Sequence, residues 1–177
     1  MRIGIYGGTF DPIHFAHLHV IAYALENAQL DVCHVVVARD PWQKPNVGAD
    51  SRTRLRWVEK SVQDFFPKVK NVVVDDREIM REGKSYTVDT LRSFRDQYPD
   101  AELFLIVGDD IPERISTWEK HEEILEMAEL FVVPRAIVPI SSTYIREQAA
   151  GNRTITGLVP YSVEKDIIDN SLYTNQP

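Results

Sequence analysis

The residues best suited to chemistry lie near the start of the chain, in Gly7-Gly8-Thr9-Phe10-Asp11-Pro12-Ile13-His14-Phe15-Ala16-His17. Glycines at the exit of an apolar strand free backbone N–H groups, and the start of the helix that follows attracts anions. His14 and His17 stand three residues apart, a spacing that puts both imidazoles on one helical face, where they can address one anion. The combination describes a polyphosphate site. Backbone amides around Gly8, Thr9 and Phe10 are the expected contacts, because the stretch has neither the Gly-Lys-Ser/Thr of a P-loop nor a Gly-x-Gly-x-x-Gly. His19 falls on a different face, and no further Cys or His stands at a spacing that would complete a zinc site.

A second anion-binding turn lies far downstream. Ser141-Ser142-Thr143 reads as the start of a helix with Arg146 about one turn in, and hydroxyls, terminal amides and a guanidinium can together hold a triphosphate tail. Between the two turns, Lys44 adds a cation on the proline-stiffened loop Asp40-Pro41-Trp42-Gln43-Lys44-Pro45. Ser85-Tyr86-Thr87 opens another helix, whose N-terminus favours a carboxylate over a neutral carboxamide. Gly108-Asp109-Asp110 follows an apolar strand, and Trp118 lies in a polar stretch that suits binding better than core packing. Each feature alone has an ordinary explanation: a capped helix, a solvated lysine, a buried aromatic. The fold must bring them together for the chemistry to follow.

The elements that would position them alternate. Residues 2–7 read as a buried strand, followed by a helix from about His14 to Asn27 and a second apolar strand over 32–38. Ser51 is the expected cap of a helix reaching Phe66, and Asn71 to Val74 a short strand. Ser85 or Thr87 caps a helix running to Tyr98, where Pro99 ends it, and Leu103 to Val107 forms a strand. Ser116 to Glu119 has the capping-box pattern ahead of a helix through Met127. Leu130 to Val133 is the last strand; Ser141 or Ser142 caps a helix closed by Gly151, and Pro160 opens the final one. Such alternation predicts an α/β fold, a Rossmann-like, mostly parallel sheet with helices on both faces. Ligands of such sheets bind at the carboxyl ends of the strands, where Gly7–His17, Arg39–Gly48, Gly108–Asp110 and Pro134–Arg135 all fall.

The length of 177 residues fits a single domain, 1–177, with a small helical part from about residue 141. A 44% apolar fraction suits an ordered globular chain. The formal charge of −7 speaks against a general nucleic-acid surface, so cations must be concentrated locally if a nucleotide is bound. No apolar run approaches membrane-spanning length and no signal-peptide pattern opens the chain, so no membrane partner is expected. Cys33 is the single cysteine, which precludes an internal disulfide and fits a reducing, cytoplasmic setting; in an apolar strand it reads as a packing residue. Oligomeric state is left open.

The segment around His14 and His17 resembles the (H/T)xGH signature of the nucleotidyltransferase superfamily. Ile140-Ser-Ser-Thr-Tyr-Ile-Arg146, and above all Asp76-Arg-Glu-Ile-Met-Arg-Glu-Gly-Lys-Ser-Tyr-Thr-Val-Asp-Thr-Leu91, resemble the nicotinate-nucleotide adenylyltransferases of bacterial NAD synthesis. The resemblance runs from Arg2 to about Tyr173. It implies adenylyl transfer from ATP to nicotinate mononucleotide, with Mg²⁺ bound through the ATP phosphates and no direct protein ligand to the metal. By the same resemblance His14, His17, Lys44 and Arg146 would be catalytic. ATP would be held by Gly8, Thr9, Phe10, both histidines, Gly108, Asp110, Arg135, Ser141, Ser142, Thr143 and Arg146. The acceptor would meet Lys44, Ser85, Tyr86, Thr87 and Trp118, and Arg54 matches another family arginine. Ala16 departs from the family glycine, and only Ala136 to Pro139 separate Arg135 from the second motif, where many relatives carry a longer segment. Competing assignments are phosphopantetheine or nicotinamide-mononucleotide adenylyltransfer, another cytidylyltransferase, and a non-catalytic nucleotide-binding regulator. The Ser85-Tyr86-Thr87 and Trp118 matches weigh against the first. Retention of both histidines, Lys44 and Arg146 weighs against the last.

Overall fold

The computed structural model describes residues 1–43, 46–134 and 140–174. Among these residues five strands form one sheet: β1 (Arg2–Gly8), β2 (Val32–Val37), β3 (Val72–Asp75), β4 (Glu102–Gly108) and β5 (Glu129–Val133). The order is β3-β2-β1-β4-β5 and every pairing is parallel. The sheet therefore goes beyond the expected mostly parallel arrangement. The chain leaves β1 toward one edge and returns to its other side at β4, so the crevice outside the carboxyl ends of these two central strands is the switch point where such sheets take ligands.

Strand periodicity divides the core in two. Ile3 and Ile5 of β1, Val36 of β2 and Leu103, Leu105 and Val107 of β4 point to one face; Tyr6, Cys33, Val35, Val37, Phe104 and Ile106 point to the other. The first face is covered by helices α4 (Thr87–Gln97) and α5 (His121–Met127), through Val88, Leu91, Phe94 and Ile124. The second is covered by α1 (Phe15–Asn27) and α2 (Ser51–Phe65), with α6 (Ser142–Ala150) and α7 (Tyr161–Asp169) packed beside them. Cys33 is fully buried there, and burial pushes its thiol pKa up to about 12, which fits a packing role. A four-residue α3 (Arg77–Met80) completes the elements.

Several helix starts differ from expectation, each for a local reason. Asp50, not Ser51, caps α2: its carboxylate accepts from the amides of Arg52 (3.0 Å) and Thr53 (3.1 Å) and from the Thr53 hydroxyl. The N-cap of α4 is Tyr86, because the Ser85 hydroxyl is drawn off to the amides of Arg39 (3.0 Å) and Asp40 (3.3 Å). Ser116 does not open a capping box. Ile115–Thr117 tightens into a 3₁₀ turn, with the Thr117 hydroxyl donating back to the Arg114 carbonyl, and left-handed Lys120 (φ 52°) delays α5 to His121. Helix α3 carries no sequence signal; one turn is too short for periodicity to register, and it forms where Asp75 accepts from the Arg77 amide. Ser141 caps α6 and Pro160 opens α7 as expected.

Candidate active site

The junction from β1 to α1 lies at the switch point. Gly8, its last strand residue, is required by close approach: a Cβ there would lie 2.7 Å from the Phe10 ring, which folds back beneath the strand. Phe10 has a left-handed backbone (φ 50°) and is 2% exposed, so its ring is a floor and only its main chain can meet a ligand. That ring packs edge-on against His17, centroids 5.0 Å apart. His14 and His17 stack at 3.6 Å with their planes 19° apart, so the i,i+3 spacing does bring both imidazoles to one place. The His14 amide donates to Nδ1 of His17 at 3.2 Å. In neutral His17 this puts the proton on Nε2, which makes that nitrogen the donor of the ring. Ala16 is half-buried, and His19 is exposed on another face beside Tyr23.

Helix α6 docks its first turn onto that junction. The Ser142 hydroxyl donates to the Pro12 carbonyl (2.9 Å), and Nη1 of Arg146 donates to the Asp11 carbonyl (2.7 Å). Nη2 of Arg146 reaches the Thr143 hydroxyl at 3.3 Å. Ser141 spends its side chain on the cap, accepting from the Tyr144 amide at 3.1 Å. The two turns that the sequence marks as candidate anion sites thereby share one cavity of about 230 Å³, lined by Thr9, Asp11, Asn46, Val47, Ser142, Thr143 and Arg146. The first and last of the sequence motifs, more than a hundred residues apart, meet here.

Two buried groups whose roles sequence reasoning does not reach hold this geometry. Asp11, 3% exposed, accepts from the amides of Gly48 (2.8 Å) and Ala49 (3.0 Å) and from the Tyr173 hydroxyl (2.6 Å). Arg54, 1% exposed, donates to three carbonyls: Ala49 (3.0 Å), Thr9 (2.6 Å) and Arg39 (3.2 Å). Its guanidinium pins together the exits of β1 and β2 and the start of α2, and its own pKa is lowered by burial although Asp11 opposes this. Arg54 is thus a structural clamp, each of its three nitrogens donating to backbone. Asp11 is visible within the first motif; its Tyr173 partner, 162 residues away, has no signal in spacing.

The start of α4 sits beside the loop after β2. Ser85 joins that loop by accepting from two of its amides and pairing with Pro41 as an isolated bridge. Behind it, buried Glu78 accepts from the Thr90 hydroxyl (2.5 Å), and burial raises its pKa against the effect of its hydroxyl bonds. The Tyr86 amide turns back onto the Lys84 carbonyl (3.1 Å), so the open amides at this helix end belong to Thr87 and Val88, not to Tyr86. The Tyr86 ring faces Trp42 at 5.9 Å. Gly108 ends β4, with Asp110 just beyond it and 3.6 Å from Arg114; Trp118 is half-buried against the α4–α5 core. Lys44 and Arg135 lie outside the described residues. Among the described residues no three His, Cys, Asp or Glu side chains gather as a metal cage, and no helix is long and apolar enough to cross a membrane.

A 3-2-1-4-5 parallel sheet with its anion-binding turns gathered at the β1/β4 switch point is a Rossmann-like nucleotide-binding fold of the nucleotidyltransferase type. The cytidylyltransferase-like family model matches residues 5–148. The chain is 37% identical to the probable nicotinate-nucleotide adenylyltransferase of Thermus thermophilus, covering 98% of this chain and 100% of that one. It is 34% identical to the protein of the same name from Citrifermentans bemidjiense, covering 99% of each. The fold matches Plasmodium falciparum nicotinic acid mononucleotide adenylyltransferase complexed with NaAD, with a TM-score of 0.77 and 20% identity over 97% of both chains. The chain belongs to the cytidylyltransferase-like family and, within it, to the nicotinate-nucleotide adenylyltransferases.

Proposed function

We propose that this protein transfers the adenylyl group of ATP to nicotinate mononucleotide, releasing pyrophosphate and forming deamido-NAD. The observation that carries the proposal is the single cavity in which the β1–α1 junction and the first turn of α6 face one another, tied by the Ser142 and Arg146 bonds to Pro12 and Asp11. A cavity walled by the Ser142-Thr143 hydroxyl turn, the Arg146 guanidinium and Thr9 of the β1–α1 junction suits a triphosphate.

In the reaction a 5′-phosphate oxygen of the acceptor attacks the α-phosphorus of ATP in line. The new P–O bond forms as the bond from the α-phosphorus to the bridging oxygen breaks, and that electron pair leaves on pyrophosphate. The nucleophile is already anionic, so no general base is needed. The protein's task is to position two polyanions and to neutralise the charge that builds on the leaving group. His14 and His17 donate to phosphate oxygens at the reacting centre. Arg146, with Lys44 from the loop after β2, stabilises the departing pyrophosphate. Mg²⁺ carried by the ATP phosphates supplies further charge neutralisation there. Thr9, Ser142 and Thr143 line the phosphate cavity, Asp110 accepts from ribose hydroxyls, and Arg135 adds a cation on the ATP side. The acceptor's ring lies against Trp118, with its carboxylate at the start of α4. The test is to incubate the purified protein with ATP, Mg²⁺ and nicotinate mononucleotide and separate the products. Deamido-NAD and pyrophosphate in equal amounts are expected; ATP consumption yielding only ADP or AMP would refute the assignment.

A further inference from the structure

Asp11 poses an electrostatic problem for the site just proposed, and the structure contains its solution. The carboxylate is 3% exposed in the wall of the cavity assigned to the triphosphate, beside Arg146. An anion there opposes a polyanionic ligand and competes for the cation meant to hold it. Yet the nearest approach of Arg146 Nη1 to the carboxylate is 3.8 Å, to Oδ2, while the same nitrogen donates to the Asp11 carbonyl at 2.7 Å. The guanidinium is parked on a neutral acceptor. The carboxylate is satisfied by other donors: the Gly48 amide on Oδ2, the Ala49 amide and the Tyr173 hydroxyl on Oδ1.

Of these donors, Tyr173 is the one brought from a distance. It lies beyond α7, holds a left-handed backbone (φ 64°) that a bulky side chain adopts only when its surroundings require it, and its hydroxyl lies 2.6 Å from Oδ1. Its ring closes onto Gly48, where a Cβ would sit 2.5 Å away, and flanks Trp57 at 6.4 Å between centroids. Trp57 in turn donates to Asp166 of α7 at 2.6 Å, which fixes the segment from which Tyr173 reaches back. Burial and the neighbouring Asp11 charge both push the phenol pKa up, so the hydroxyl remains a donor.

We propose that Tyr173 is a positioning residue for the triphosphate of ATP and for pyrophosphate: by saturating Asp11 it keeps Arg146 from collapsing into an ion pair and leaves the guanidinium to the ligand. This rests on the phosphate-cavity assignment above. Removing the hydroxyl leaves the carboxylate one donor short, and Arg146, whose Nη1 already lies 3.8 Å from Oδ2, is the cation at hand to close onto it.

The test is calorimetric titration of ATP with Mg²⁺, and of inorganic pyrophosphate with Mg²⁺, into the full chain as wild type, Tyr173→Phe, Arg146→Ala and the double variant. Tyr173→Phe is expected to weaken both ligands roughly ten- to a hundred-fold, the scale of one bond to a charged group, with the acceptor KM unchanged. In the Arg146→Ala background the same change is expected to cost less than about twofold, because the two act as one unit. Equal losses in both backgrounds, unchanged affinity in Tyr173→Phe, or a matching rise in acceptor KM would overturn the proposal. If Tyr173→Phe does not fold, Gly48→Ala dislodges the ring from the other side; the same selective loss is expected, and its absence overturns the inference. Wild-type protein that binds neither ligand defeats the cavity assignment and this inference together. Wild-type binding with an insensitive Tyr173→Phe defeats this inference alone.

Discussion

His17 ties the fold to the proposed chemistry in one side chain. Its Nδ1 accepts the His14 amide at the start of α1, and that bond makes Nε2 the protonated, donating nitrogen. His17→Ala is expected to lower kcat by roughly 10²- to 10³-fold, the usual effect of losing one donor to developing charge. ATP affinity, measured by titration, should move only a few-fold; an unchanged kcat in a folded variant would contradict the role. Away from the cavity, Asp75 illustrates a purely structural ion cluster. It lies 2.9 Å from His34 Nδ1, accepts from Arg77 (Nη2, 2.8 Å), and Arg77 lies 3.4 Å over the Phe94 ring. Burial raises the Asp75 pKa, but the bonds from His34 and Arg77 outweigh it and hold the carboxyl well below its usual range. A carboxylate with a depressed folded pKa stabilises fully above its unfolded value of about 3.9 and loses that contribution as pH falls through the folded value. Asp75→Asn should therefore cost about 3 kcal/mol at pH 7. The gap in Tm to wild type should narrow as pH falls below about 4. A gap that holds constant with pH would show that the charge is not what stabilises.

Among the elements, the strands are legible as short apolar runs because both faces of the sheet are buried, β1, β2 and β4 sending side chains into two cores, and α4 places Val88, Leu91 and Phe94 along one stripe. Helix starts were less legible, since the choice among neighbouring capping residues depends on partners distant in sequence. Ser85 has the chemistry of a cap and serves instead as an acceptor for Arg39 and Asp40, more than forty residues away. Asp50 outcompetes Ser51 because a carboxylate accepts two amides and a hydroxyl at once. Asp50→Ala is accordingly expected to cost about 1 kcal/mol in denaturant unfolding, whereas Ser51→Ala should fall within about 0.5 kcal/mol of wild type, as surface changes do. A larger loss at Ser51 than at Asp50 would reverse the assignment. In the candidate site, the motifs that the fold brings together are readable from spacing, but the groups that hold them in place are not. Asp11, Arg54 and Tyr173 act through backbone groups and contacts that only the folded chain brings together.

At the scale of the molecule, function depends on a sheet that brings chain-distant turns to one edge. β1 leads into the histidines, β4 leads into Asp110, and α6 returns from the far end of the sequence to close the cavity proposed for the triphosphate. The proposed acceptor side lies apart from it, where α4 begins with the open amides of Thr87 and Val88 beside Trp42 and Tyr86. This division makes acceptor choice the most direct test of the proposed reaction. A carboxylate at that helix start gains charge-assisted bonds, while a carboxamide turns an NH₂ toward donors and leaves one unpaired, at about 1–3 kcal/mol. The decisive measurement is kcat/KM for nicotinate mononucleotide and for nicotinamide mononucleotide at saturating ATP and Mg²⁺. A preference for the nicotinate acceptor of roughly ten- to a hundred-fold is expected; equal values, or a preference for the amide, would contradict the assignment of the acceptor site.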